Sequence, residues 1–509
     1  MVWSAENSKN DEASKIRWEL VPYMLGYALD IGCGAYKVFP HFIGVDSGHH
    51  WGFQGVDIRV KTGSKLDLFA DNSCDCVFSS HLLEHFEYGE AKEALKEWMR
   101  ITKSDKYMVL YVPDEDEYPK VGEYGANKDH KWNISFQKIL DIMPDGWDLI
   151  DFQKRNQDDE YSLFLVFQKK PSGKAQSWKH PKPAKTAAVI RYAAIGDAIQ
   201  ASSVLPWLKE NGYHITFYCQ SGPGHEVLKH DPHIDRFVVQ GKDHVPPQFL
   251  GEFFEYTAKK YDRFINLCES VEGTLLAIPG RANHEWPNEA RAKHQDRNYI
   301  EWTHEIALVP PPYRPKFYST MEERLWAKEQ KRQFGRKTIL WSLSGSSGHK
   351  TWPHLDAVIA GLMLRYSDVH VVLVGDDLCK ILEHGWGKEK RVHCRSGVWN
   401  IRQSMSFAEV ADLVIGAETG LLNAAGAMET PKIVTLSHSS KEMLTKHWKN
   451  TIALEQPPGV GCTKSPCRQL HYDWTYCPKY ETEQVTAALC QFHITPNMMF
   501  DAIISILEK

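Results

Sequence analysis

The sequence has no long hydrophobic run and no excess of positive charge. None of its apolar stretches reaches the roughly 20 residues that span a bilayer. The opening segment MVWSAENSKNDEASK is polar and lacks the apolar core of a signal peptide. With 60 Lys and Arg against 65 Asp and Glu, the net charge is −5, so no overall basic field favours nucleic acid. We therefore expect a cytoplasmic chain without a transmembrane segment.

Cysteine is also scarce, at 11 of 509 residues, which excludes a disulfide-stapled framework and predicts mostly reduced thiols. Hydrophobic residues make up 42% and charged residues 25%, the ordinary balance of a globular protein. At about 100–200 residues per domain, the length predicts roughly three domains.

Apolar β-branched runs alternate with amphipathic helical stretches, which is typical of parallel α/β sheets. The pattern forms three blocks, so we predict an α/β protein of three Rossmann-like domains. A Pro-, Lys- and Ser-rich stretch separates the first block from the second. The predicted boundaries are a first domain at 1–170, a linker at 171–185, a second domain at 186–330 and a third at 331–509.

The first block opens with LDIGCG, a strand that ends in a glycine turn at Gly32 and Gly34 after Asp30. Glycine allows positive φ and a close approach of the backbone to a ligand. A second strand, FIGVD, ends at Asp46, where a carboxylate can accept both hydroxyls of a ribose. Asp67 precedes a further strand that leads into LLEH.

These motifs, with VPD at 112–114 and DHKWNIS at 129–135, resemble class I S-adenosylmethionine methyltransferases of the small-molecule and sugar type. The resemblance implies that Asp30, Gly32 and Gly34 belong to the cofactor site, the glycines contacting the methionine part. It also implies that Asp46 binds the ribose and that Asp67 binds the adenine amino group.

Methyl transfer to a hydroxyl needs positioning and a base. His85 and His130 are the candidate bases, and the alternative is that each packs or caps a helix. About a dozen residues separate Gly34 from Asp46, too few for the long helix that usually follows such a turn. A degenerate, non-methylating domain therefore stays open as an alternative.

The second and third blocks carry three strand-to-helix turns. The first, RYAAIGD, ends at Asp197, which either interacts with a helix start or faces a cleft as a base. The second, SGSSGHKTWP, contains Lys350, which can neutralise a diphosphate. The third, GAETG, places Glu418, Thr419 and Gly420 at a helix start that can bind an anion.

The three turns together resemble the ADP-heptose:lipopolysaccharide heptosyltransferase family, glycosyltransferases of family 9 with the two-domain GT-B fold. The resemblance implies that Asp197 is the base of an inverting transfer, that Lys350 binds the donor phosphates, and that Glu418, Thr419 and Gly420 lie at the donor sugar and phosphate. The family usually has Asp in place of Glu418 and commonly His in place of Asn423, so a nucleotide-sugar donor is implied more firmly than ADP-heptose itself.

Late in the chain, Cys462, Cys467, Cys477 and Cys490 cluster around His471 at a spacing that is not a standard zinc pattern, and no metal site is assigned. A structural metal there is the alternative to reduced thiols in a late loop. We expect S-adenosylmethionine and a nucleotide sugar as cofactor and co-substrate, and a lipopolysaccharide- or O-antigen-type glycan as acceptor.

Two other functions stay open. A nucleic-acid acceptor would use the stretch at 281–302, which is rich in basic and aromatic residues. Alternatively, one half of the chain is a non-catalytic binding module.

Overall fold

The computed structural model describes residues 11–48, 55–170, 185–192, 194–269, 293, 296–335, 337–345, 347–467, 477–482 and 485–508. Nearly all of the predicted linker, most of the stretch at 281–302, and His471 lie outside these described residues.

The chain folds into two compact units. The first comprises residues 1–182 with 238–249, and the second comprises 183–237 with 250–509. Three sheets of seven, four and six strands, in which parallel pairing predominates, confirm the predicted α/β class. No helix among the described residues is both long and apolar enough to cross a membrane.

The first unit is built on the seven-stranded sheet, in the order β3-β2-β1-β4-β5-β7-β6. Strands β1 to β5 pair in parallel, whereas β7 runs antiparallel to both of its neighbours. The strands are β1 Ala28–Ile31, β2 Ile43–Asp46, β3 Ile58–Arg59, β4 Cys74–Ser80, β5 Thr102–Pro113, β6 Trp147–Arg155 and β7 Ser162–Lys169. The helices are α1 Glu12–Lys15, α2 Tyr88–Ile101 and α3 Phe136–Ile142, with short 3-10 turns at Arg17–Leu20 and Leu83–His85.

Helix α2 shows why its sequence forms a helix against this sheet. Its buried residues recur at helical spacing, so one face packs on the strands while charged residues occupy the other. Trp98 is fully buried on that face, and its indole N–H donates to the Gly63 carbonyl at 2.9 Å. This bond ties the helix to the loop that follows β3.

No helix forms between β1 and β2, as the short spacing of Gly34 and Asp46 predicts. Residues 32–42 instead make a series of turns. The positive end of a helix dipole is therefore not available at this glycine turn.

The second unit contains two sheets in sequence. The four-stranded sheet has the order β10-β9-β8-β11, with β8 parallel to β9 and β11. Its strands are β8 Thr186–Ile190, β9 His214–Gln220, β10 Arg236–Gln240 and β11 Arg263–Asn266. The helices of this part are α4 Ile195–Ser202, α5 Leu205–Glu210, α6 Pro223–Leu228, α7 Leu250–Ala258 and α8 Tyr299–Ala307, with a short 3-10 turn at Leu267–Glu269. Residues 238–249, which hold the end of β10 and a 3-10 turn at Pro247–Phe249, are grouped with the first unit.

The six-stranded sheet has the order β14-β13-β12-β15-β16-β17 and is parallel throughout. Its strands are β12 Lys337–Ser342, β13 Val369–Val374, β14 Val392–Cys394, β15 Leu413–Ala417, β16 Lys432–Thr435 and β17 Thr451–Leu454. An antiparallel hairpin follows, β18 Lys479–Glu481 and β19 Thr486–Ala488. The helices are α9 Met321–Phe334, α10 Leu355–Arg365, α11 Lys380–Glu383, α12 Ile401–Ala408, α13 Gly420–Gly426, α14 Leu489–Phe492 and α15 Pro496–Leu507. Short 3-10 turns lie at Gly348–Lys350, Asp377–Cys379 and His384–Trp386, and a π-helical turn lies at Lys441–Thr445.

The predicted division between residues 330 and 331 falls inside α9. That helix begins at a capping box in which Thr320 and Glu323 satisfy each other's backbone amides. Near its other end, Phe334 packs on Phe407 of α12 and on His393 of β14. The helix therefore packs with the third predicted domain.

Helices α4 and α13, which belong to the two sheet regions of the second unit, pack against each other at very close range. A Cβ atom added at Gly420 would lie 2.4 Å from Cβ of Ile195, and one added at Gly196 would lie 2.8 Å from Nδ2 of Asn423. The side-chain amide of Gln200 donates to Oδ1 of Asn423 at 3.0 Å. Glycine is needed at both positions because the facing side chains leave no space for a Cβ atom.

We expect Gly420→Ala to destabilise the second unit by about 1–3 kcal/mol, the usual cost of overpacking a closely packed site. Thermal unfolding of this unit measures the effect. Gly387→Ala is the matched control, because a Cβ atom there meets nothing within 4 Å and φ is −59°. Equal transition temperatures for the two variants would contradict the close packing of α4 on α13.

Candidate active sites

A cavity of about 650 Å³ opens in the first unit at the carboxyl ends of β1, β2 and β4. Backbone turns, acidic side chains and histidines share its wall. The lining residues that bear on chemistry are Gly32, Gly34, Asp46, Thr62, Gly63, Glu84, His85 and His130.

The glycine turn forms one side of this cavity. Gly32 has φ +78° and Gly34 has φ +57°, the left-handed region that favours glycine. The Gly32 amide donates to the Val45 carbonyl at 2.8 Å, and an added Cβ atom would lie 2.8 Å from Cδ2 of Leu82. The turn is thus fixed with its bare backbone toward the cavity.

The Asp46 carboxylate is held rigidly at the end of β2. Its Oδ2 accepts from the Gly34 amide at 3.1 Å, and its Oδ1 accepts from the Gly48 amide at 2.7 Å. Because it lines the cavity, the carboxylate stands where a ribose-binding acid is expected.

The structure does not bring Asp30 or Asp67 to the cavity wall. Asp30 is buried, and its Oδ2 accepts from the Val38 amide at 2.8 Å, so it fastens the turns that follow β1. Burial raises the pKa of Asp30 to about 8. Asp67 is exposed, because Leu66 and Phe69 on either side fill the core and turn it toward solvent. Thr62 and Gly63 line the cavity on this side instead.

His85 and His130 converge with Glu84, which the sequence analysis did not single out. Donor atoms of the three side chains all lie within 4.8 Å of one another, and the two imidazole rings meet edge to face at 4.9 Å. The predicted candidate bases are therefore neighbours in the cavity wall. Glu84 was detectable in principle, since it lies next to His85 in the HLLEH segment.

Burial, and to a lesser degree the neighbouring His85, lower the pKa of His130 to about 4. Burial raises the pKa of Glu84 to about 8. At neutral pH His130 is therefore the neutral imidazole with an available lone pair.

The raised pKa of Asp30 predicts a pH-dependent stability of the first unit. Its carboxyl shifts from the ordinary 3.8 to about 8, so its stabilising contribution is complete below pH 3.8 and is lost as the pH rises to about 8. Asp30→Asn keeps an oxygen for the Val38 amide but cannot ionise. We expect the stability of this variant relative to the original chain to increase as the pH rises from about 5 to about 8. Denaturant unfolding at several pH values in this range measures the difference. Asp67→Asn is the exposed control, and a gain for Asp30→Asn that does not change with pH would contradict the assignment.

In the second unit, Asp197 lies in the first turn of α4 and is paired with a buried arginine. Nη2 of Arg191 is 3.0 Å from Oδ1 of Asp197. Arg191 is 2% exposed and follows directly after β8. Asp197 is not an N-cap, because Ala194 occupies that position and no side chain caps the helix. The sequence analysis missed Arg191, since a basic residue after a strand carries no distinctive signal by itself.

Lys350 and Glu418 meet in the third predicted domain. The ammonium of Lys350 donates to the Glu418 backbone carbonyl at 2.9 Å, and both side chains are buried. Burial lowers the pKa of Lys350, while the charges of Glu418 and Asp197 act in the opposite direction. All three predicted residues are therefore in electrostatic reach of one another.

Glu418 follows β15, and its carboxylate is surrounded by hydrogen-bond donors from residues 437–439, which follow β16. Nδ1 of His438 lies 2.6 Å from Oε2, and the Ser439 amide donates to Oε1 at 2.8 Å. The Ser437 hydroxyl donates to Oε2. Although burial raises the pKa of Glu418, His438 and Lys350 bring it down to about 2, so the carboxylate is ionised.

Thr419 is the N-cap of α13, and its hydroxyl accepts from the Leu422 amide at 3.4 Å. Gly420 is the first residue of that helix and packs on Ile195 as described above. Asn423 accepts from Gln200 and donates to the Thr419 carbonyl, so its amide is used in holding α4 and α13 together.

The four late cysteines do come together. Cys462, Cys467, Cys477 and Cys490 line one small cavity with His438, and no disulfide links any of the eleven cysteines. Within the described ranges their sulfur atoms do not converge at the separations of shared metal ligands, whereas the donor atoms of Glu84, His85 and His130 do.

Comparison with known proteins adds a family match and several likenesses. A family model described as a methyltransferase domain matches residues 29–110. The search of curated proteins gives no match.

Three solved structures illustrate the likenesses. ADP-heptose lps heptosyltransferase II of E. coli covers 64% of this chain and 98% of its own, at 15% identity and TM-score 0.46. A glycosyl transferase of family 9 from Veillonella parvula covers 64% and 98%, at 14% identity and TM-score 0.45. A SAM-dependent methyltransferase from Methanosarcina mazei covers 28% and 92%, at 16% identity and TM-score 0.22.

The chain contains, at residues 29–110, the methyltransferase domain that the family model describes.

Proposed function

We propose that the chain is a bifunctional transferase. The first unit transfers a methyl group from S-adenosylmethionine to a hydroxyl of a sugar or related acceptor. The second transfers a heptose-like sugar from a nucleotide sugar to a glycan of the lipopolysaccharide or O-antigen type. The observation that carries the proposal is that each unit gathers its own charged site at the carboxyl ends of parallel strands.

In the methyl-transfer site, Asp46 holds the ribose hydroxyls and the bare turn at Gly32 and Gly34 receives the methionine part of the cofactor. S-adenosylmethionine supplies a methyl group on a sulfonium when it is bound. His85 and His130 line the same cavity and activate the acceptor hydroxyl, in the simplest form as general bases. Neutral His130 has a lone pair for that proton.

We expect Asp46→Ala to weaken S-adenosylmethionine binding about tenfold to a hundredfold, because it removes a charged acceptor of hydrogen bonds. Isothermal titration calorimetry on the full chain measures the dissociation constant. Asp67→Ala is the matched control and should leave it unchanged, since Asp67 is exposed and outside the cavity. Equal losses in both variants would restore an adenine role for Asp67 and contradict this geometry.

In the glycosyl-transfer site, Asp197 takes the proton of the acceptor hydroxyl while Arg191 holds its carboxylate in place. The acceptor oxygen attacks the anomeric carbon, and the nucleoside diphosphate leaves with the bonding electron pair. A single displacement of this kind inverts the anomeric centre. Lys350, with Thr419 and Gly420, stabilises the leaving phosphates, and Glu418 contacts the donor sugar. The name of the E. coli neighbour supports an ADP-heptose-like donor.

The donor is identified by screening hydrolysis and transfer across ADP-, GDP-, UDP- and CDP-sugars. We expect one class to turn over, and Asp197→Ala to lower kcat at least a hundredfold, the usual order for loss of a general base (~10²–10⁴). Asp501→Ala, an exposed aspartate on α15 in the same unit, is the control. If no donor is bound or turned over, the binding-module function takes the lead. Transfer to a nucleic acid rather than a glycan would favour that acceptor instead.

A further inference from the structure

We propose that Glu84, His85 and His130 bind a divalent first-row transition-metal cation in the wall of the methyl-transfer cavity. The proposal rests on the proposed methyl transfer for its chemical role only, because metal binding can be measured without turnover. It concerns residues of the first unit alone.

The three donor atoms have separations suited to one shared ion. Nε2 of His130 lies 3.8 Å from Oε1 of Glu84, and all three donors lie within 4.8 Å of one another. Ligands that each bind a metal at about 2.0–2.2 Å lie roughly 3–4 Å apart, so small side-chain rotations suffice to close the site. At 3.8 Å the Glu84 and His130 atoms are too far apart for a direct hydrogen bond.

The Glu84 carboxylate gives an independent indication of a cation. Its side chain is fully buried, and neither carboxylate oxygen accepts a hydrogen bond from another residue. Nδ1 of His81 approaches Oε1 at 3.5 Å, again beyond a good hydrogen bond. Buried carboxyl oxygens without hydrogen-bond partners are costly, and coordination to a cation would offset that cost.

The protein holds these ligands in place before any ion binds. The Lys131 amide donates to the Glu84 carbonyl at 2.8 Å, and the Trp132 indole N–H donates to the Leu83 carbonyl at 3.2 Å. These two bonds clamp the segment that carries His130 onto the 3-10 turn Leu83–His85, although about 45 residues separate them. The two segments that carry the ligands are therefore held together.

Carboxyl side chains outnumber lysines in the cavity wall, where Lys61 is the basic side chain. Glu12 lines the cavity, its Oε2 is 3.8 Å from Nε2 of His81, and its Oε1 accepts from the Tyr161 hydroxyl at 2.8 Å and from the Lys15 ammonium at 3.1 Å. Asp46 and Asp129 stand in the same wall. Two imidazoles and one carboxylate are the ligand set of zinc, iron, manganese, cobalt and nickel rather than of magnesium or calcium.

Three protein ligands leave open positions on the ion for an acceptor oxygen. When bound, the ion would lower the pKa of an acceptor hydroxyl, whose proton would go to solvent; the oxygen would form the new bond to the methyl carbon, and the electron pair of the carbon–sulfur bond would return to sulfur. The sulfonium becomes a neutral thioether. In this form His85 and His130 act as ligands instead of as bases, and the acceptor class is a hydroxyl compound.

The experiment titrates Co²⁺ into the metal-stripped full-length chain and follows its visible absorption, with Zn²⁺ as competitor. We expect one ion per chain with a spectrum typical of nitrogen and oxygen ligands. Glu84→Gln and His130→Asn should each weaken binding about tenfold to a hundredfold or more. Glu84→Gln keeps the size of the side chain and introduces no charge, so it should fold, and circular dichroism with S-adenosylmethionine binding checks both variants.

The controls separate this site from other metal-binding groups. Glu87→Gln alters an exposed glutamate three residues away and should leave Co²⁺ binding unchanged. Cys462→Ser should also leave it unchanged, whereas a thiolate charge-transfer band that this variant abolishes would place the ion at the cysteines and overturn the proposal. Absence of Co²⁺ binding, or binding that survives both Glu84→Gln and His130→Asn, would overturn it as well. If Asp46→Ala leaves cofactor binding intact while Glu84→Gln abolishes Co²⁺ binding, the metal site stands and the cofactor assignment fails.

Discussion

Parallel strand pairing is the constraint on which both candidate sites depend. Parallel strands end at the same edge of a sheet, so the turns after them meet there whatever their distance along the chain. In the first unit, Asp46 ends β2 and the segment with Glu84 follows β4. In the second, Asp197 follows β8, and Glu418 follows β15. Because both faces of such sheets are covered by helices, these turns are where polar side chains can cluster beside a buried core.

The two buried glutamates show how the surroundings decide what a carboxylate does. Glu418 is buried among donors, with His438 at 2.6 Å, and its pKa falls to about 2 despite burial. Glu84 is equally buried but lacks donors at hydrogen-bonding distance, and burial raises its pKa to about 8. In the first arrangement the carboxylate oxygens are fully supplied with hydrogen-bond donors. In the second they have none from other residues, so Glu84 gains most from a bound cation.

Local sequence pattern was enough to predict the central strands. Strands β1 and β2 coincide with the predicted strands in LDIGCG and FIGVD, because buried parallel strands are continuous hydrophobic segments in the sequence. Strand β6 was not predicted, since its residues Trp147–Arg155 are mostly half-buried and polar. The glycine turn and the absence of a helix after β1 were also predicted from the sequence, because both follow from residue type and spacing.

Local sequence pattern did not predict which residues come together at the sites. Asp67 and Asp46 look alike in sequence, yet only Asp46 reaches the cavity, because the flanking Leu66 and Phe69 turn Asp67 outward. Arg191 and Glu84 gain their roles from partners that only the folded chain brings close. Because the turns after β1 contain no helix, the electrostatics of this part of the wall depend on side chains: Asp46 and Asp129 stand in the same wall as Lys61, and Glu12 is paired with Lys15.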